Sequence, residues 1–390
     1  MNKKRIAYVL GSKFPTGKAY GVTTRETILE IKSMGHDLKL FCFKSEYSDI
    51  DSLEIEPLIT NFRHGKLENI LMKYGESSSS QFSKFCWQFG MILAVTKNVR
   101  FVKNFNPHII WLRDPLIALI FLLFNRNSKV ILEIHTNSLK FAYLGLKVFS
   151  VRVLFAPINK INFEYICSLI DKPRIVLAPM SIRSVAICSE QEVKTFISNL
   201  NKKIDNTLSI GYIGSIAPQK YSKGIEDLIE LARICESNEI NFKITIVGYV
   251  PEELEFISKN ISDLPKNIFF EARVSHSQSL KLRQSFDVLI LPMPLDTNYT
   301  GMPLKLMEYL SAGRITILAD SVLLKDCLNN NVEAYFYESG NPLSLLNKIL
   351  TAVSDSNLES NILNGIRFSS QFTWQARTSS ILSSFDKDFK

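Results

Sequence analysis

No Cys-x-x-Cys pair and no histidine cluster occurs in these 390 residues, and the six cysteines (Cys42, Cys86, Cys167, Cys188, Cys235 and Cys327) stand far apart. That spacing excludes a zinc site or a disulfide framework and fits a reducing cytoplasm. Long apolar runs are missing as well. The longest uncharged one, 116–124, lies between Asp114 and Arg126 and falls well short of the roughly 20 residues that span a bilayer. Lys3, Lys4 and Arg5 are followed by apolar residues only over 6–10 and then by Gly11. The start is therefore expected to be a first strand rather than a signal segment.

What is present is an ordinary globular composition with an uneven charge. The apolar fraction of 46% is usual, and the length suffices for two domains, each with its own core. The net charge of +8 hides a division: residues 1–200 carry 27 Lys and Arg against 16 Asp and Glu, whereas the remainder carries 19 against 22. On charge alone the basic half faces membrane phospholipid, a lipid-diphosphate acceptor or nucleic acid. A solvated, solubilising surface is the competing reading. No nucleic-acid recognition motif accompanies the charge.

Strand and helix patterns alternate from end to end, which predicts a doubly wound α/β protein. The first half reads as strand 5–10, helix 23–34 ended by Gly35, strand 37–43, an irregular polar stretch 45–80, helix 82–104, strand 108–112, helix 116–124 and strand 129–134. Shorter strand candidates are 160–163 and 175–178. No strand periodicity occurs over 181–207, so the domain crossover is placed there. A second alternation follows: strand 208–213, helix 225–235, strand 242–247, strand 268–271, helix 278–285 and the segment 287–319. The tail carries Trp374 with Ile381, Leu382 and Phe385 on one helical face.

The segment 287–319 is the most informative. An apolar strand, a polar loop, the run Gly301-Met302-Pro303-Leu304-Lys305-Leu306-Met307-Glu308-Tyr309 and a second apolar strand after Gly313 make a ligand-binding βαβ. Proline at the first helical position leaves the N–H groups of Gly301, Met302 and Leu304 near the helix mouth, where an anion is favoured.

This stretch resembles the donor segment of retaining glycosyltransferases of family 4, in the glycosyl transferases group 1 class. The resemblance implies a GT-B fold: α/β, with two facing Rossmann-like domains, parallel sheets and a cleft between them. It implies that Glu308 holds ribose hydroxyls of a nucleotide-sugar while the loop and helix start hold the diphosphate. The family has two glutamates separated by seven residues, and Thr300 stands at the earlier place here, with Asp296 close enough to substitute.

Three further places carry the resemblance. Ile210 to Ser215, through Lys223-Gly224 and the helix after it, is similar to the family's Gly-Arg…Lys-Gly element, with Gly214 at the turn and Ser215 in place of the arginine. A glycine lets the backbone approach a ligand, and a lysine neutralises charge on a departing diphosphate. Lys223 is assigned the phosphate contact because it precedes Gly224, with Lys220 second. Arg273 and Val274 fall where relatives pass main-chain atoms over the nucleobase, or are ordinary strand-end residues. His135 ends an apolar strand, where ligands of open α/β sheets collect, and by the resemblance it would hydrogen-bond the donor sugar. Gly11 and Gly21 either bring backbone toward diphosphate or acceptor, or serve tight turns.

The expectation is an enzyme: a hexosyltransferase moving sugar from a nucleoside diphosphate to a glycan or lipid-linked acceptor, in bacterial-type surface polysaccharide or lipopolysaccharide assembly. His135 and Lys223 are its catalytic candidates. With no Asp-x-Asp in a place suited to a divalent ion, no metal and no other cofactor is expected. The domains are expected over 1–185 and 206–371, with a helix over 372–388 returning to the first. Localisation is expected to be cytoplasmic. The apolar 116–124 and the aromatics Phe141, Tyr143, Phe149 and Phe155 point to an anionic membrane face or, equally, to buried helix faces. A same-fold enzyme such as an epimerase and a non-catalytic anion binder are the rivals.

Overall fold

Alternate residues of the first strand point into two different cores. In the computed structural model, Ala7 and Val9 pack with Phe41, Ile110 and Leu132 on one face of a sheet, and Ile6, Tyr8 and Leu10 pack with Leu40, Trp111 and Ile131 on the other. A strand buried on both faces reads as an uninterrupted apolar run, which is why Ile6 to Leu10 has no polar alternation. The structure describes residues 3–389 apart from 46, 48–49, 77–80, 126, 136–138, 204–206, 218–221, 261–262, 294–302 and 326.

The chain forms two compact units, Met1–Pro179 with Trp374–Lys390, and Met180–Tyr299 with Pro303–Thr373. The first contains β1 (Arg5–Phe14), α1 (Ala19–Ser33), β2 (Asp37–Lys44), β3 (Ile59–Asn61), α2 (Lys66–Glu76), α3 (Gln81–Asn104), β4 (Ile109–Leu112) and α4 (Pro115–Phe124). It continues with β5 (Val130–Ile134), α5 (Lys140–Lys147), β6 (Val153–Pro157) and α6 (Lys160–Leu169). The second runs through α7 (Glu190–Lys202), β7 (Leu208–Ile213), α8 (Glu226–Ser237), β8 (Phe242–Tyr249), α9 (Pro251–Asn260), β9 (Ile268–Ala272), α10 (His276–Leu282), β10 (Val288–Leu291) and α11 (Leu304–Leu310). Then come β11 (Ile315–Ala319), α12 (Val322–Lys325), β12 (Tyr335–Tyr337), α13 (Pro342–Val353) and α14 (Leu358–Ser370). The last helix, α15 (Trp374–Asp388), belongs to the first unit, where Ile381, Leu382 and Phe385 join the core that also holds Ile28 and Ile31 of α1.

Each unit has one six-stranded sheet, ordered β3-β2-β1-β4-β5-β6 and β12-β11-β10-β7-β8-β9, with every strand pair parallel. The order of addition reverses between β1 and β4 in the first sheet and between β7 and β10 in the second. Crevices for ligands open at such switch points, outside the carboxyl ends of the strands.

Several expectations are corrected. Residues 160–163 begin α6 and are not a strand; the Asn159 side chain accepts a hydrogen bond from the Asn162 N–H and caps that helix. The strand in that region is β6, and 175–178 runs beside it without being a strand, bridged at Phe155 and Ile175 and with the Ala178 N–H donating to the Pro157 carbonyl at 2.8 Å. The stretch 45–80 is more ordered than its polarity implies: it holds a 3₁₀ segment Ile50–Leu58, β3 and α2. The run Ser77 to Ser80 lies outside the described residues. The strandless 181–207 contains α7, started by a capping box of Ser189 and Glu192.

Candidate functional site

At the switch point of the second sheet, Tyr309 ties α11 to β7. Its buried hydroxyl accepts from the Ile213 N–H at 2.8 Å, so the residue next to the invited carboxylate is fixed to a strand end. Glu308 itself is 9% exposed. Its Oε1 meets Nε2 of His276 at 2.8 Å, and its carbonyl accepts from the buried Arg283 and from the Ser311 hydroxyl. Burial alone pushes the Glu308 carboxyl up, but the His276 hydrogen bond and the charges of His276, Arg283 and Lys305 outweigh it and bring the group down to about 2. The site keeps a carboxylate ionised in a nearly dry place.

Lys305 lies one turn before Glu308 and reaches back across the end of β7. A Cβ placed on Gly214 would overlap the Lys305 Cε and Nζ, and Nζ is 5.5 Å from the centroid of the Tyr212 ring. Burial pushes the Lys305 ammonium below its ordinary range, Glu308 and Glu253 oppose that shift, and Lys223 and Arg273 add to it. Three cations and two carboxylates therefore share one electrostatic neighbourhood. Lys223 is also pushed down, by burial. The glycine after it is required by geometry: Gly224 has φ +82°, and a Cβ there would stand 2.8 Å from the carbonyl oxygen of Met293, two residues past β10.

Ser215, where the resemblance calls for arginine, is engaged within its own unit. Its hydroxyl donates to the buried Glu253, which also accepts from the Ile216 N–H at 3.2 Å. Arg273 and Val274 directly follow β9, and the Arg273 N–H donates to the Tyr249 carbonyl at 3.1 Å. Pro303 is not inside the helix but is its N-cap, with φ −70° and ψ 126°, and Leu304 begins α11. Thr300, Gly301, Met302, Asp296 and Lys220 lie outside the described residues.

In the first unit His135 closes β5 and has both ring nitrogens engaged. Arg113 Nη2 lies 3.2 Å from Nδ1, which must accept from a guanidinium, so Nε2 carries the proton and donates to Glu133 at 3.0 Å. Glu133 is fully buried and accepts also from Trp111 Nε1 at 2.6 Å and Arg377 Nη2 at 2.9 Å. Burial opposes its ionisation, yet Arg377, His135 and Arg113 hold it below the usual carboxylate range. Burial and Arg113 push His135 down to about 4 against the pull of Glu133, so the ring is neutral near pH 7. Arg113 is fixed in turn by the Tyr20 carbonyl at 3.0 Å and the Thr23 and Thr24 hydroxyls.

Gly11 is not in a loop. It sits within β1 and is buried, and a Cβ there would overlap Ile117 of α4. Gly21 lies in the first turn of α1, where a Cβ would collide with the Thr16 backbone. Both glycines have a packing reason. Of the aromatics expected at a membrane face, Tyr143 and Phe155 are core, as are Leu116, Ile117, Ile120, Phe121 and Leu122 of α4, and Phe149 is half-buried against them. Among the described residues no group of three or more His, Cys, Asp and Glu is placed to hold a metal ion, and no helix is long and apolar enough to cross a membrane.

Sequence reasoning passed over His276, Arg283 and the role of Lys305. A signal existed for the first: Ser275 and Gln278 have capping-box spacing and place a helix start, and with it His276, ahead of residue 278.

Comparison with known proteins bears on the same unit. Residues 194–367 match the family model of glycosyl transferases group 1. No curated protein matches the sequence. Among solved structures, a glycosyltransferase from Rickettsia africae ESF-5 is similar over the whole of both chains with a TM-score of 0.70 at 15% identity. Anabaena Alr3699/HepE in complex with UDP is similar over 98% of this chain and 100% of its own, with a TM-score of 0.70 at 12% identity. The lipopolysaccharide outer core galactosyltransferase WaaB, in apo form, matches 99% of this chain and 100% of its own with a TM-score of 0.62 at 13% identity. Taken with the two parallel six-stranded sheets, these findings show a chain of GT-B fold whose residues 194–367 match the glycosyl transferases group 1 model.

Proposed function

We propose that the protein transfers a hexose or related sugar from a nucleoside diphosphate to a hydroxyl of a glycan acceptor with retention of configuration, as a family 4 enzyme of surface-polysaccharide or lipopolysaccharide assembly. The observation that carries this reading is Glu308, an ionised carboxylate fixed by His276 beside Lys223, Lys305 and Arg273 at the β7/β10 switch point. Vicinal hydroxyls of a ribose suit such a carboxylate, and the cations suit the diphosphate attached to it. HepE was solved with UDP, which makes a uridine nucleotide the first donor to try.

In the transfer the bond from the anomeric carbon to the phosphate oxygen breaks and the oxygen keeps the electron pair. The acceptor oxygen bonds the same face of that carbon, and its proton passes to the departing phosphate. Lys223 lowers the barrier by meeting charge that grows on the diphosphate. α11 has only seven residues, so side-chain charge rather than helix dipole carries most of that task. Side chains thus do what a divalent ion does in other transferases, and turnover needs no metal. His135, neutral and already bonded at both nitrogens, reaches a sugar hydroxyl only by releasing the 3.2 Å contact with Arg113, and it does not act as a base.

The acceptor is assigned to the first unit, at the cytoplasmic face of a membrane. Its support is an exposed apolar set, Leu123, Phe124, Phe141, Leu144 and Val148, with the exposed Lys140 and Lys147 interleaved. A second such set lies on α2 and α3, where Ile70, Tyr74, Phe82, Phe85 and Phe89 are exposed.

The test is to incubate the purified protein with UDP- and GDP-sugars and candidate acceptors, with and without EDTA, and to follow release of nucleoside diphosphate and the anomeric configuration of the product. Metal-independent release with a retained product supports the reading. Binding of polyanions without consumption of any sugar nucleotide, or a strict Mg²⁺ or Mn²⁺ requirement, overturns it. Flotation with anionic liposomes tests the membrane face, and a salt-insensitive absence of binding removes it.

A further inference from the structure

The chain has a serine where its relatives are expected to place a cation, and that serine is not idle. Ser215 donates its hydroxyl to Glu253, and its carbonyl accepts from the Tyr212 hydroxyl at 2.7 Å. It supplies no charge. The space beside it is taken by another residue: the Lys305 Cε and Nζ lie where a side chain on Gly214 would begin. Glu308 spends its hydrogen bond on His276, and Glu253 spends both oxygens on Ser215 and Ile216. Among the described residues no carboxylate forms an ion pair with Lys305, whose near contact is the face of Tyr212.

We propose that Lys305 is the cation that replaces the missing arginine, binding the donor diphosphate from the first turn of α11 across the end of β7. The inference rests on the second unit being the donor site. Lys305 stays protonated throughout: no proton or bond moves through it, and it balances charge on the phosphate oxygens beside Lys223. A lysine held over an aromatic ring with like charges nearby has strong reason to gain an anion. The depressed affinity of its ammonium for the proton, caused first by burial, is what a bound diphosphate would reverse. The Gly214 requirement follows from the same geometry, because any side chain there would evict the lysine.

The test compares binding of UDP with uridine, and of GDP with guanosine, by calorimetry on the full chain, for the native protein, Lys305→Ala, Lys305→Met, Lys305→Arg, and the double variant Lys305→Ala with Ser215→Arg. Lys305→Met keeps the stem over Tyr212 and guards against a folding defect. The Tm of each nucleotide-free variant is recorded alongside. Lys305→Ala and Lys305→Met are expected to lose roughly tenfold or more in affinity for the diphosphate with the nucleoside unchanged. Lys305→Arg retains most of the affinity, and the added arginine at 215 restores a good part of it. Native diphosphate affinity in folded Lys305→Met overturns the proposal and leaves the donor-site reading standing. A native protein that binds neither diphosphate better than its nucleoside removes both.

Discussion

His276 Nε2 stands 2.8 Å from Glu308 Oε1, so a residue at the start of α10 holds a carboxylate on α11 that is 32 positions away in the chain. The pairing separates two effects of mutation. Glu308→Ala is expected to weaken binding of UDP or GDP by tenfold or more while kcat at saturation changes less. His276→Ala leaves a buried carboxylate short of its nearest partner and is expected to cost about 1–3 kcal/mol of stability, read from urea denaturation.

Lys223→Ala is expected to show the opposite kinetic pattern. A group that meets charge developing only on the leaving diphosphate lowers kcat, here by roughly 10²–10³-fold, with little change in KM. Steady-state kinetics on both variants decide the assignment: small and equal effects from Glu308→Ala and Lys223→Ala refute both roles.

Gly224→Ala is expected to destabilise the fold by about 1–3 kcal/mol, because the residue sits at φ +82° and its added methyl would press on the Met293 backbone. Thermal denaturation of the nucleotide-free protein checks this, and a Tm equal to the native value contradicts it.

The pH dependence of stability has separable windows. His135 has a folded pKa of about 4, below its ordinary 6.5; a depressed group contributes stability that is full above 6.5 and lost as pH falls toward 4. The size is about 3 kcal/mol. His36, also held low by burial and by Lys4, adds a slope of the same sign. Glu308, ordinarily at 4.5 and here about 2, acts only below 4.5, where Glu133 adds to the same trend. His135→Gln is therefore expected to flatten the urea-midpoint profile between pH 4.5 and 6.5, whereas Glu308→Gln leaves that interval unchanged.

The parallel sheets were legible because their strands are buried on both sides: Ile6 to Leu10 and Val288 to Leu291 have no polar alternation to confuse with helix. The loop-to-helix element at Lys223-Gly224 was legible because glycine marks a backbone conformation that other residues resist. The miss at 160–163 has an equally local reason. Lys-Ile-Asn-Phe alternates like a strand, and only the cap Asn159 shows that a helix begins there. Gly11 misled because its demand comes from Ile117, about a hundred positions later, which no local pattern carries. His276 and Lys305 escaped for the same cause: what they do depends on partners from other elements, Glu308 for His276, and the Tyr212 ring and the space left by Gly214 for Lys305.

The Arg377 guanidinium, 2.9 Å from Glu133 across 244 positions of sequence, has a consequence for biosynthesis. The first sheet leaves the ribosome early but waits for α15, translated after the whole second unit, before one of the charges beside its interior carboxylate arrives and Ile381, Leu382 and Phe385 cover its open side. The part made first is thus the part finished last, because its apolar core is complete only once the residues from Trp374 onward have joined it.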